Sequence, residues 1–323
     1  MNVDTFNLSS EVNQINSFLY NLRDHSQYDD EINNLINQIL TNGGKRIRPL
    51  ICLLSYEMIS GRIRDDSSIA AACAVEIIHN ASLVIDDIFD KDIFRRKQKS
   101  FYLKYSTFSA LSVSYSMSSL ALKLASDTNI IEIVEQLINA ISILSSSLFL
   151  ERKFRESDNL MTKEEALKLI DQKTAILFQT ASEIGFILGK STKDNREKIR
   201  DFGLYIGRAF QLRDDYLSLI SKENDLGKSG VITDITNRIQ TFIVIDAFEK
   251  LPKEQRIILE SYYLDKETIP VETIRELLLN PKTVQSIKKK VLEYLKKAEN
   301  IIGEFPQGIA KDKLLSIVSM LVI

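Results

Sequence analysis

Apolar residues recur three and four positions apart along almost the whole chain. EINNLINQIL, AAACAVEIIHNASLVIDDIFD, IRDFGLYIGRAFQLRDDYLSLI and TVQSIKKKVLEYLKKAENII are examples. That spacing gathers them on one face of a helix, and no convincing strand alternation competes with it. Only 11 glycines and 5 prolines occur in 323 residues, so few positions force a helix to stop. The breaks are short: TNGGKRIRP (41–49), GKSTKDN (189–195), SKENDLGKSGVITD (221–234) and GEFPQG (303–308). None has the composition of an interdomain linker, and there is no clear internal repeat or low-complexity tail. The expectation is an all-α protein, a single domain over 1–323 built as a bundle of ten or more helices.

With 44% hydrophobic residues the chain can bury a sizeable core. Its net charge of −2 gives no reason to expect a nucleic-acid partner. Cys52 and Cys73 both sit in apolar runs and are expected as buried, reduced thiols. The start, MNVDTFNLSSEVNQ, has neither the basic residues nor the apolar run of a signal peptide. Tyr105–Leu122 is uncharged but contains seven serines, and Leu314–Ile323 is only ten residues long, short of the ~20 a span requires. Both are expected as buried helices of a cytoplasmic protein without a transmembrane segment.

The long run ending in IDDIFD carries Asp86 and Asp90 one turn apart, roughly 6 Å along the axis, with Asp87 beside them. Three carboxylates at a helix C-terminus oppose the negative end of the helix dipole and repel one another. A bound cation relieves both costs, and carboxylates without clustered His or Cys suit a hard ion such as Mg²⁺. By itself the pattern is weak, since acidic triplets at helix ends are usually solvated. A second one strengthens it: FQLRDDYLSL places Gln211, Asp214, Asp215 and Ser218 together on one helical face. Two such faces can converge across a helical bundle.

Ions held by few carboxylates usually complete their shell with substrate phosphates. Matching cations are present. GGKRIRP brings Lys45, Arg46 and Arg48 next to two glycines, Arg95 and Arg96 follow the first acidic cluster, DQKTA supplies Lys173 and Thr174, and DLGKSG supplies Lys228. Arginine suits the bidentate binding of a diphosphate. Any one of these is unremarkable as a solvated charge; together they fit a site for two diphosphate groups.

In these motifs, GGKRIRP, DDIFD followed by RR, KT, FQLRDD and LGK in that order, the chain resembles the trans-isoprenyl diphosphate synthases (polyprenyl synthetases) from about residue 30 to about residue 315. The resemblance implies an all-helical isoprenoid-synthase fold around a central active-site cavity, usually as a homodimer. It implies elongation of an allylic diphosphate (dimethylallyl, geranyl or farnesyl) by isopentenyl diphosphate, with three Mg²⁺ ions per active site. Carried over by position, it makes Asp86, Asp90 and Asp214 metal ligands, with Asp87 and Asp215 supporting. It assigns Lys45, Arg48, His79 and Arg96 to isopentenyl diphosphate. Arg95, Lys173, Thr174, Gln211 and Lys228 go to the allylic diphosphate, and Lys173 and Lys228 stand with Asp86, Asp90 and Asp214 as the catalytic set. A lone histidine is more often a packed residue than a ligand, but His79 lies two turns before Asp86 on the same face.

Ile85 ahead of the aspartate pair and Ser218 after the second motif bring the chain closest to geranylgeranyl diphosphate synthases. Other departures are less conservative. RRKQKS lacks the Gly and Pro common after the arginines, SSSLFLERKF lacks a mid-helix Gly-Gln, and DITNRIQT has Arg238 where relatives have Lys. The product chain is expected to run down the helix below Asp86, about 5.4 Å per turn. Ala81 and Ser82 are small enough to admit products beyond C15, with Met117 and Ser118 at the next level. The serines 106, 109, 112, 116 and 119 form a stripe that either packs helices closely or lines the channel. Two alternatives stand beside a geranylgeranyl-type synthase: a non-catalytic or regulatory subunit of a heteromeric synthase, and a class I terpene cyclase, against which the basic loop and His79 speak.

Overall fold

The structure is a computed structural model that describes residues 8–22, 28–220 and 234–323. Its elements in chain order are α1 (Ser9–Tyr20), α2 (Asp30–Thr41), α3 (Ile47–Ser60), α4 (Asp66–Asp90), the strands β1 (Phe94–Arg95) and β2 (Gln98–Lys99), α5 (Phe101–Lys104), α6 (Thr107–Asp127), α7 (Ile131–Arg155), α8 (Lys163–Ile170), a π-helical turn (Asp171–Ala175), α9 (Ile176–Leu188), α10 (Lys193–Ile220), α11 (Phe242–Lys250), α12 (Lys253–Tyr263), α13 (Val271–Leu278), α14 (Pro281–Gly303) and α15 (Ile309–Ser319). The all-α expectation holds. The only sheet among the described residues is the β1–β2 hairpin, which the sequence reading did not anticipate.

Helix α4 starts at a capping box, in which Asp65 accepts from the Ser68 backbone and Ser68 from that of Asp65. It ends at Lys91, whose left-handed φ of 55° turns the chain into the hairpin. Between these points its Ala71–Ile78 stretch is buried on nearly every side, so α4 is a central helix. It packs along α6 and against α3, α7 and α9; α9 packs along α3 and α10, and α10 along α14. Cys52 and Cys73 are free and buried, as expected, and burial pushes both thiols up.

Two contacts fix how α10 meets α9 and the π turn that precedes it. A Cβ on Gly203 would lie 2.6 Å from the Gln179 Cα, and one on Gly207 would lie 2.4 Å from the Ala175 Cα. Glycine at both positions lets the backbones touch one and two turns before Gln211. The π turn itself has no counterpart in the sequence reading. It is pinned from α10 by Arg208, whose Nε and Nη2 donate to the two Asp171 oxygens at 2.7 Å each.

Helices α4 and α7 are long and apolar enough to cross a membrane by length and composition. Neither is one of the stretches singled out from the sequence. Helix α4 is buried in the bundle, whereas α7 exposes Ile131, Ile138 and Phe149. Helix α6, which carries most of the uncharged stretch Tyr105–Leu122, is likewise not wholly buried. Ala110, Val113, Met117 and Leu120 face inward and Phe108, Leu111 and Tyr115 outward.

Candidate active site

The last two turns of α4 divide their aspartates between two environments, because neighbouring residues point about 100° apart on a helix. Asp86 and Asp90 face α7 and the π turn. The Lys173 Nζ lies 3.9 Å from Asp86, and Arg155 of α7 pairs with Asp90. Asp87 is turned the other way and is buried. There it accepts from Arg95 Nε at 2.7 Å, while Arg95 also reaches Asp92 at 3.1 Å. Asp87, Arg95, Arg96, Asn80 and Lys104 line a cavity beside the hairpin, so the structure separates Asp87 and Arg95 from Asp86 and Asp90.

Glu151, absent from the sequence reading, is the hub of the first face. It is buried and accepts from both Lys173 and Arg155 at 2.7 Å. Glu151 and Arg155 are one turn apart in LERKFR, the segment that lacks Gly-Gln. That departure, together with their i,i+4 spacing, was the signal that could have found them. Burial opposes ionisation of Glu151, but Lys173 and Arg155 outweigh it and hold its carboxyl below the usual range. Burial likewise opposes the charge on Lys173, yet Asp86, Glu151 and Asp90 hold its ammonium above its ordinary value. At Asp86 burial wins: with Asp90 and Glu151 adding repulsion against the pull of Lys173, its carboxyl rises to about 6.

The π turn and α10 join through side chains. The Thr174 Oγ1 donates to the Gln211 Oε1 at 2.5 Å, and the Gln211 Nε2 donates to the Asp215 Oδ1 at 2.7 Å. This relay fixes the Gln211 amide. Burial pushes the Asp215 carboxyl up to about 8. The Gln211 hydrogen bond works against that rise, and the nearby charges of Asp234 and Asp214 reinforce it. Asp214 lies 3.9 Å from Arg213. Two half-buried carboxylate faces, each with a proton affinity raised by burial and like charge, have the donor chemistry that a hard cation satisfies. Among the described residues, no three His, Cys, Asp or Glu side chains cluster closely enough to hold an ion unaided. An ion held here would need further ligands from a bound substrate.

The third wall is the start of α3. Arg48 stacks on Phe178, 4.5 Å from its centroid, and its Nη1 lies 3.1 Å from the His79 Nε2. A guanidinium only donates, so Nε2 accepts and the proton sits on Nδ1. Burial and the adjacent Arg48 hold His79 well below its ordinary value, leaving it neutral. Burial lowers Arg48 to about 10, partly offset by Glu76 and Asp214. Lys45 is exposed. Arg46 is structural, paired with Glu76 at 2.8 Å and hydrogen-bonded to the Leu40 carbonyl at 2.5 Å. Arg96 comes from the hairpin turn and donates to the Gly43 carbonyl at 2.6 Å, beside Lys45. Arg96 and Lys97 have φ of 52° and 65°, the left-handed pair of a tight two-residue hairpin, with neither residue a glycine.

Of the remaining sites, Lys228 lies outside the described residues. Arg238 is turned to the carbonyls of Lys266 and Glu267, both at 3.0 Å, and over the Tyr262 ring. Its neighbour Asn237 instead reaches the site, donating to the Asp90 carbonyl at 2.8 Å. Ser82 is half-buried on the His79–Asp86 side of α4, whereas Ala81 and Met117 are buried between α4 and α6. Ser118 is half-buried and bonded to the Ser114 carbonyl at 2.9 Å. The serine stripe does not line an interior channel: Ser112 and Ser119 are exposed, and Ser106 and Ser109 form the α6 N-cap. An uncharged stretch such as 105–122 gives little indication of which face turns inward, and the larger apolar side chains of α6 took the core.

An all-helical bundle with one carboxylate face on α4 and another on α10, bordered by Lys, Arg and a neutral His, has the groups expected of an enzyme that handles diphosphates. The family model for polyprenyl synthetases matches residues 29–279. A geranylgeranyl diphosphate synthase from Saccharolobus solfataricus is 32% identical over 71% of this chain and 70% of its own. Heptaprenyl diphosphate synthase from Staphylococcus aureus superimposes with a TM-score of 0.89 at 27% identity, over 98% of both chains. A polyprenyl synthase from Caulobacter crescentus, complexed with calcium and isoprenyl diphosphate, also gives a TM-score of 0.89, at 25% identity over 99% of this chain and 97% of its own. The chain belongs to the polyprenyl synthetase family and is a trans-isoprenyl diphosphate synthase.

Proposed function

We propose that the enzyme makes geranylgeranyl diphosphate or a somewhat longer trans-polyprenyl diphosphate, and that it depends on Mg²⁺. The observation that carries this reading is the pair of carboxylate faces, Asp86 and Asp90 on α4 with Lys173 beside them, and Asp214 and Asp215 on α10, where Asp215 ends the Thr174–Gln211 relay. Asp86, Asp90 and Asp214 hold the ions, three per site, and Asp215 supports them. Asp87, paired with Arg95, acts as a structural support of the same helix end. When bound, Mg²⁺ supplies Lewis-acid stabilisation of the departing diphosphate. Lys173, Thr174 and Gln211, joined by Lys228, orient the allylic diphosphate, and the lysines take up its developing charge as the carbon–oxygen bond ionises. Arg95 stands behind Asp87 and tunes that border.

Lys45, Arg48, His79 and Arg96 hold isopentenyl diphosphate. Arg48 is pre-oriented by Phe178, and a neutral His79 donates through Nδ1. The isopentenyl double bond attacks the allylic carbon, and the released diphosphate takes the proton that is lost. No covalent protein intermediate is required. Water has to be kept out, because it would quench the cation. Two copies of residues 1–323, each one unit, pair in the cytoplasm through the outward apolar residues of α6 and α7, such as Tyr115 and Phe149.

Incubation with Mg²⁺, isopentenyl diphosphate and C5, C10 or C15 primers, with products sized by mass spectrometry, tests this reading. A C20 or longer product is expected; failure to elongate any primer by folded protein would overturn it. Ser82 faces the same side of α4 as Asp86, so Ser82→Phe should shorten the product. An unchanged length would sink the ruler role of Ala81, Ser82, Met117 and Ser118.

A further inference from the structure

Asp86 and Asp90 are already bridged, through the protein itself. A chain of alternating charge runs from Asp86 to Lys173 (3.9 Å), to Glu151 (2.7 Å), to Arg155 (2.7 Å) and on to Asp90. Three carboxylates and two cations leave this cluster one negative charge.

The two ends of the chain are unequal. Lys173 is in full contact with Glu151 and only at the limit of contact with Asp86. Arg155 touches Asp90 and Glu151 through the same nitrogen, Nη2, while its Nε is buried without a partner. A guanidinium used through one nitrogen, with another left unsatisfied, is held less firmly than one used as a fork. Arg208 shows the firm arrangement in the same molecule, with two bonds of 2.7 Å to the two oxygens of Asp171.

We propose that Arg155 is a built-in counter-cation of the metal site: it stands on Asp90 until a divalent ion displaces it, and Glu151 is the post that retains it and Lys173 when it lets go. The proposal rests on the reading of Asp86 and Asp90 as ion ligands. Arg155 then competes with the metal, and Glu151 works for the metal by drawing both cations aside. Arg155 is a positioning residue in this role, because it acts through Asp90.

The test is a calorimetric titration of Mg²⁺ alone into metal-stripped protein, with thermal unfolding as the check of fold. Arg155→Gln should bind Mg²⁺ more tightly by about three- to tenfold, the range expected of a partly exposed ion pair. Glu151→Gln should bind it more weakly by a similar factor. Arg155→Lys keeps the charge with a shorter reach and should fall between wild type and Arg155→Gln; it replaces the glutamine variant if that unfolds. Arg152→Gln removes the same charge from an exposed position on α7 and should change nothing. Unchanged or weaker binding in folded Arg155→Gln would overturn the proposal, as would equal tightening in Arg152→Gln. Failure of the wild type to take up Mg²⁺ would instead remove the metal reading of the site, and this inference with it.

Discussion

The two carboxylate faces solve the same electrostatic problem differently. On the α4 side Lys173 and Arg155 stand against Asp86 and Asp90, and Glu151 anchors both cations. On the α10 side Asp215 receives a neutral amide from Gln211, and among the described residues no cation lies within salt-bridge distance of it. The carboxyl values follow: about 6 for Asp86, about 8 for Asp215. On the α4 face an ion would have to compete with side chains. The α10 face is one where an ion or a proton is needed to relieve burial.

If both faces serve the same departing diphosphate, removing either should cost about the same. Asp86→Asn and Asp214→Asn are each expected to lower kcat by at least about 10²-fold with the fold intact, the range seen when preorganised charge stabilisation is lost. A large loss in only one of them would show that a single face carries the chemistry.

Next in size is the junction between the faces. Gly207→Ala should destabilise by about 1–3 kcal/mol, measured by denaturant unfolding, because its Cβ meets the Ala175 Cα at 2.4 Å. The same variant should raise KM for the allylic diphosphate, since it pushes Gln211 away from Thr174. Wild-type stability and kinetics would show that α10 can shift freely against the π turn.

The pH dependence separates the faces more finely. Both carboxyls are raised from an ordinary value of 3.8, so the folded state holds protons that the unfolded chain has released. Stability of the metal-free protein should therefore fall as pH rises towards about 8 through Asp215; below 6.5 the buried, neutral His79 works against the contribution of Asp86, so the clear slope is the upper one. Chemical denaturation across this range should show the slope, with Asp215→Asn removing its upper part and Mg²⁺ flattening it. A stability that rises between pH 6 and 8 in metal-free protein would contradict the comparison.

Much of this site was legible in the sequence because helical spacing alone puts Asp86 above Asp90 and Gln211 above Asp215. The same geometry turns Asp87 to the far side, so the three aspartates divide into two that face Lys173 and Arg155 and one that pairs with Arg95. What spacing could not reveal were the contacts between helices. The π turn that presents Lys173 depends on Arg208 from another helix, and Glu151 acquires its role only when α7 is laid beside α4. Helix α6 shows the opposite limit. Its serines recur at helical spacing, yet Ser112 and Ser119 face outward because Met117 and Leu120 fill the core better.

The smallest expected effect concerns the hairpin that carries Arg96. Lys97 has φ 65°, where a side chain is strained and glycine is not. Lys97→Gly should stabilise the protein by about 0.5–1 kcal/mol in denaturant unfolding and leave kcat unchanged. A loss of stability would show that the Lys97 side chain contributes more than its backbone strain costs.

The central claim is that the two faces close on one diphosphate through shared cations. It is tested most directly by a crystal structure with Mn²⁺ and inorganic diphosphate, the ions located by anomalous scattering. The account predicts peaks at Asp86–Asp90 and at Asp214 with the diphosphate between them, and Arg155 withdrawn onto Glu151. Diphosphate bound with no metal at Asp90, and Arg155 still paired to it, would contradict the account.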